Sequence, residues 1–166
     1  FIMGLGAAFF AGTGAFMVAL GLFILNRIFD GLAESAGRAG GITGFGRYLD
    51  IVLNFIVYSA IALSFAFIGD GNSLISAILM FSLLAWGGSI LAFAGVARGL
   101  HLQKNASGNF LLDLGAGLVG TTEITLGLIL LLLVPEFFPA IGILLAGLIL
   151  LSTIFRIFKA RLIFQE

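Results

Sequence analysis

Five apolar runs, residues 15–38, 45–67, 73–96, 110–134 and 140–158, leave this chain few ways to fold. Each is close to the roughly 20 residues that a helix needs to cross a bilayer core. Backbone polar groups in hydrocarbon are satisfied only by helices or by a closed barrel. The runs are continuous and do not alternate, which excludes the period-two pattern of barrel strands. A sixth run, residues 1–12, ends at Gly12-Thr13-Gly14, a turn by its residue types. It is about half a span, so a preceding piece that completes the first helix is expected. The alternative is one helix from Phe1 through Leu25 with Gly14 inside it. The expected fold is an all-α integral membrane protein, a single transmembrane domain over residues 1–166 with a partial first span.

Composition narrows the function classes. Hydrophobic residues make up 61% of the chain and charged residues only 10%, against about 25% charged in soluble domains. With no Cys there is no disulfide framework, thiolate metal site or cysteine nucleophile. The formal net charge is zero and no basic run exists, so nucleic acid is not a partner. Eighteen Phe against two Tyr and one Trp suit bulk contact with membrane lipids. The 24 Gly suit close helix approach, with Trp86-Gly87-Gly88 the clearest such place.

Charge sets the orientation. Threading the spans alternately puts all eight basic residues on one side: Arg27, Arg38, Arg47, Arg98, Lys104, Arg156, Lys159 and Arg161. The other side carries only Asp70 and Glu136. Basic loops stay on the cytoplasmic or matrix side, so a bacterial or mitochondrial inner membrane is expected. Arg98, Lys104 and Arg156 read as topology and headgroup anchors, with an acidic lipid site as the alternative. His101 reads as a solvated loop residue.

Charged groups are dense in only one place, NRIFDGLAESAGRAGGITGFGRYLDIVLN, residues 26–54. Read as helix, loop, helix, it sets Asn26, Asp30, Glu34 and Arg38 at four-residue spacing on one helix face. The second helix carries Arg47, Asp50 and Asn54 at nearly the same spacing. Charges in a span cost roughly 2.5–3.5 kcal/mol each on insertion scales, so these groups must compensate one another or hold something. One reading is a neutralised cluster, for example Asp30 with Arg27 or Arg38. The other is a site where Asp30, Asp50 and Glu34 hold a divalent cation and Arg38 and Arg47 hold phosphate oxygens. Farther along, Asp113 lies near the cytoplasmic end of its span. Glu123 lies deeper, beside Thr121, Thr122 and Thr125, and is expected to face the bundle interior.

The central stretch resembles the signature of the CDP-alcohol phosphatidyltransferase family, D-x2-D-G-x2-A-R, a short spacer, then G-x3-D-x3-D. Asp30, Arg38, Gly46 and Asp50 match it. Ala33 stands at the second Asp, Glu34 at the Gly, Gly37 at the Ala and Asn54 at the fourth Asp. The resemblance implies a six-transmembrane-helix bundle with its first helix truncated here. It also implies transfer of a phosphatidyl or related group from a CDP-linked donor to an acceptor alcohol, with Mg2+ or Mn2+ on the acids. Arg38, Gly46 and Arg47 fall in the substrate-binding part of that pattern. Asn54 occupies the family's base position and cannot take a proton. Ala33 removes a carboxylate, and Glu34 is bulky where the pattern wants a small residue.

The expected function is therefore that of a degenerate member, with the fold kept and the catalytic centre lost or weakened. Such a chain serves as a structural or lipid-binding subunit among other membrane subunits or as a homodimer. The alternative is an active phosphatidyltransferase using Asp30, Glu34 and Asp50. A small transporter is a third class, supported only by buried charges.

Overall fold

The computed structural model describes residues 1–40, 43–69, 71–99 and 119–164; the side chains of residues 34, 37–40, 47 and 97–99 lie outside that description. Every regular element among the described residues is helical. The first, α1 (Ile2–Gly12), ends in a turn at Thr13 and Gly14, where Gly14 has φ +84°. A side chain there would be strained, so the chain does not run as one helix through Leu25. Instead α2 (Phe16–Gly40) starts anew and carries the first polar stripe. Next comes α3 (Gly44–Ser64), whose N-terminus is capped by Thr43: its side-chain oxygen accepts from the Gly46 N–H at 3.1 Å.

A 3-10 turn at Phe65–Phe67 leads past Gly69 and Gly71, both at positive φ, into α4 (Asn72–Gly99). The last two helices are α5 (Thr121–Leu133) and α6 (Phe138–Phe164), joined through a 3-10 turn at Pro135–Phe137. Four segments among the described residues are long and apolar enough to cross a membrane: Phe16–Ala33, Gly44–Phe67, Asn72–Val96 and Pro135–Phe164. Ile2–Gly12 and Thr121–Leu133 are shorter. Large apolar side chains such as Phe81, Leu84 and Phe158 point outward, as a lipid-facing surface requires.

Helix α4 runs along α6, α1 lies against α2 and α3, and α5 packs against both α2 and α6. Apolar burial gives little driving force between helices already in lipid, so small residues and polar contacts decide the pairing. Gly87 on α4 lies against the ring of Phe55 on α3, and a Cβ there would collide with it. Gly88, its neighbour, faces open space. Phe65 stacks on Phe138 at 4.3 Å between centroids and 3° between planes, and Phe16 stacks on Phe65 at 5.8 Å. These rings tie the start of α2, the end of α3 and the start of α6.

Three expectations need correction. The run 110–134 is not one continuous helix: Gly120 is extended, at φ −103° and ψ −171°, and α5 begins only at Thr121. Its first part, with Asp113, lies outside the described residues, as do Asp70, His101 and Lys104. Glu123 does not face the interior. It is exposed in the first turn of α5, and its carboxylate accepts from the Gly120 N–H at 2.8 Å. A helix start leaves N–H groups unpaired, and an acid three residues on supplies the acceptor.

Arg156 is no headgroup anchor either, being 1% exposed. Helix α6 continues about two turns beyond it to Phe164, so Arg156 sits inside the bundle. Its guanidinium donates to the Trp86 carbonyl at 3.3 Å and to Ser89 Oγ at 2.5 Å. Close by, the non-helical Val119 is satisfied by side chains: its N–H donates to Ser152 Oγ and its carbonyl accepts from Trp86 Nε1, both at 2.9 Å. Non-helical backbone is tolerated at membrane depth only when it is buried and bonded in this way.

Candidate functional site

The polar stripes of α2 and α3 meet, and the residue that joins them is Arg27. Its NH2 nitrogen lies 2.7 Å from Asp30 Oδ2 and donates to Asn54 Oδ1 at 2.8 Å. Its NH1 nitrogen donates to the Tyr58 hydroxyl at 2.9 Å. The ring centroids of Phe23 and Tyr58 lie 5.3 and 5.1 Å from the guanidinium carbon, within the range of cation–π attraction. Asp30 accepts a further bond from Asn26 Nδ2 at 2.9 Å, and Asp50 Oδ1 accepts from Asn54 Nδ2 at 3.2 Å.

The chain of bonds continues to α5 with a fixed direction. Thr125 Oγ1 donates to the Thr121 carbonyl at 2.8 Å. Its oxygen therefore accepts from the Tyr58 hydroxyl, also 2.8 Å away. Tyr58 in turn accepts from Arg27, so each hydroxyl here both donates and accepts. Tyr58 is 1% exposed, and leaving its hydroxyl unpaired at that depth would be costly. Asn26 is buried, and its Oδ1 and Arg27 Nε have no hydrogen-bond partner among the described residues.

A cavity of about 550 Å³ opens over this cluster between α2, α3, α4 and α5. Asp30, Asp50, Asn54 and Tyr58 line its polar part, and Phe55, Trp86 and Leu126 its apolar part. Arg27 and the hydroxyls of Thr121, Thr122 and Thr125 also border it. Such a lining offers polar contacts for a headgroup and apolar contacts for an alkyl chain.

Of the residues singled out in the sequence, Asp30, Asp50 and Asn54 do come together. The side chains of Glu34, Arg38 and Arg47 lie outside the described residues. Gly46 is in the first turn of α3, its N–H already held by Thr43 and about two turns from Asn54. As donors for a divalent cation, the described groups are poorly arranged. Among them, no three His, Cys, Asp or Glu side chains gather at one point. Asp30 faces a guanidinium, and Asn54 turns its NH2 toward Asp50. Sequence reasoning missed Tyr58 and the central part played by Arg27. Tyr58 extends the spacing of Asp50 and Asn54 by another four residues, and Arg27 is three residues before Asp30.

Helices and cavity together define an all-helical integral membrane protein with a polar cluster between its second and third helices. The chain is similar to inner membrane protein YnjF of Escherichia coli (strain K12), with 29% identity over 163 residues, 98% of this chain and 79% of that protein. No family model matches the chain, and no solved structure matches it.

Proposed function

We propose that this protein is a catalytically degenerate relative of the CDP-alcohol phosphatidyltransferases that acts as a structural or lipid-binding subunit of a larger membrane assembly. One observation carries the reading: the residue in the base position, Asn54, is a hydrogen-bonded link between Arg27 and Asp50. An amide cannot take a proton from an acceptor alcohol. Its two polar ends are already engaged, so it is a bridge within the protein. Asp30 is likewise committed, to Arg27 and Asn26. What remains is an amphipathic cavity suited to a lipid. The name of the relative supports an inner-membrane location. The positions of the basic residues support a cytoplasmic or matrix side for the polar cluster.

The test is an assay of CMP release from CDP-diacylglycerol by the purified full chain, with Mg2+ or Mn2+ and a panel of alcohols. Native mass spectrometry on the same sample reads retained lipid. The expected result is background CMP release together with a retained lipid that Trp86→Ala weakens. CMP release that disappears in Asp50→Ala would overturn the reading in favour of an active transferase.

A further inference from the structure

We propose that the Arg27 guanidinium is the resident cation of this site and stands in for the divalent metal that carboxylates on two facing helices would otherwise recruit. The inference deepens the reading of a degenerate centre and rests on it for the loss of two acids. Three observations carry it. First, the guanidinium makes the kind of cross-link a metal would make. It engages Asp30 on its own helix and Asn54 and Tyr58 on α3, at 2.7, 2.8 and 2.9 Å. Its planar fork can reach several acceptors at once.

Second, the amide of Asn54 is oriented by that cation. Arg27 can only donate, so it takes the amide oxygen, and the amide NH2 is left to face Asp50. A metal ion approaching Asp50 from this side would meet N–H hydrogens, where a carboxylate at position 54 would have offered oxygens. Third, aromatic rings hold the guanidinium. The faces of Phe23 and Tyr58 flank the guanidinium, and its Nε is buried. A metal ion binding Asp30 would have to displace the guanidinium from it. The α2–α3 clasp is thus built from protein alone and does not depend on metal supply.

The experiment measures Mn2+ binding to the purified full chain by electron paramagnetic resonance, and Tm in detergent with Mn2+ or with EDTA. Wild type is expected to bind no stoichiometric Mn2+ and to show one Tm in both conditions. The double variant Arg27→Met/Asn54→Asp removes the cation and adds a carboxylate. It is expected to gain Mn2+ binding, with a Tm rise of about 5–10 °C at Mn2+ about 100-fold above its Kd. Should that variant fail to fold, Arg27→Lys decides: it keeps the charge and is expected to show a lower Tm and no Mn2+ response. A Mn2+ response in Arg27→Lys, or one Mn2+ per chain in wild type that Asp30→Asn abolishes, would overturn the proposal. CMP release by wild type without Mn2+ binding would sink the degenerate-enzyme reading and spare this one. Mn2+ binding without CMP release would do the reverse.

Discussion

The Tyr58 hydroxyl is the point where three helices are joined, and Tyr58→Phe tests the bond chain most directly. The substitution keeps the ring, which packs on Phe23 at 6.4 Å between centroids, and deletes only the oxygen. Two bonds go: the one from Arg27 at 2.9 Å and the one to Thr125 at 2.8 Å. A bond to a charged group contributes about 1.5–3 kcal/mol. A neutral bond between membrane helices averages about 0.6 kcal/mol. Tyr58→Phe should therefore cost about 2–3.5 kcal/mol, most of it on the Arg27 side. Thr125→Val removes the neutral bond that Thr125 accepts from Tyr58 and the one it donates to the Thr121 carbonyl of its own helix, and should cost about 0.6–1.5 kcal/mol. The assay is equilibrium unfolding in mixed micelles of SDS and a mild detergent. The single Trp, Trp86, is buried beside Phe55 and gives the fluorescence signal. If Tyr58→Phe stayed within about 0.5 kcal/mol of wild type, or if Thr125→Val cost as much as Tyr58→Phe, the direction assigned to the bond chain would be wrong.

Other substitutions probe the remaining contacts. Gly87→Ala places a Cβ against the Phe55 ring; it should cost about 1–3 kcal/mol through overpacking and shift the emission of Trp86. Ser152→Ala strips the buried Val119 N–H of its acceptor and should lower stability by about 1–3 kcal/mol in the same unfolding assay. Glu123→Ala should cost about 0.5–1 kcal/mol by loss of the helix-start acceptor. Glu123→Gln keeps an oxygen there, and its midpoint should stay close to wild type.

Hydropathy made the membrane-spanning helices legible, because an apolar run near 20 residues has one common use. The break at Val119 and Gly120 was not legible in this way, since hydropathy averages over a single non-helical peptide. A local signal was present all the same: Gly120 is followed three residues later by Glu123, the spacing of a capped helix start. The same averaging made Arg156 look like a residue at the water's edge, although α6 runs on past it. At the candidate site, four-residue spacing found Asp30, Asp50 and Asn54, and following it one step further would have reached Tyr58. Arg27 was harder. Sequence alone gave Asp30 a basic partner on either side, Arg27 or Arg38, and only the tertiary arrangement, with α1 against both α2 and α3, brings Arg27 to Asn54. Pairings across helices depend on rotation and depth, which no period within one helix fixes.

The stacked rings of Phe16, Phe65 and Phe138 sit at the start of α2 and just past the end of α3, about 16 Å along the helices from Arg27 and Asn54, which lie midway along them. One end of the bundle is held by stacked aromatic faces and its middle by charges and amides, and no residue belongs to both groups. Substitutions accumulating in the second group therefore need not disturb the first. A lineage carrying this architecture can drift in its chemistry while its shape is inherited intact.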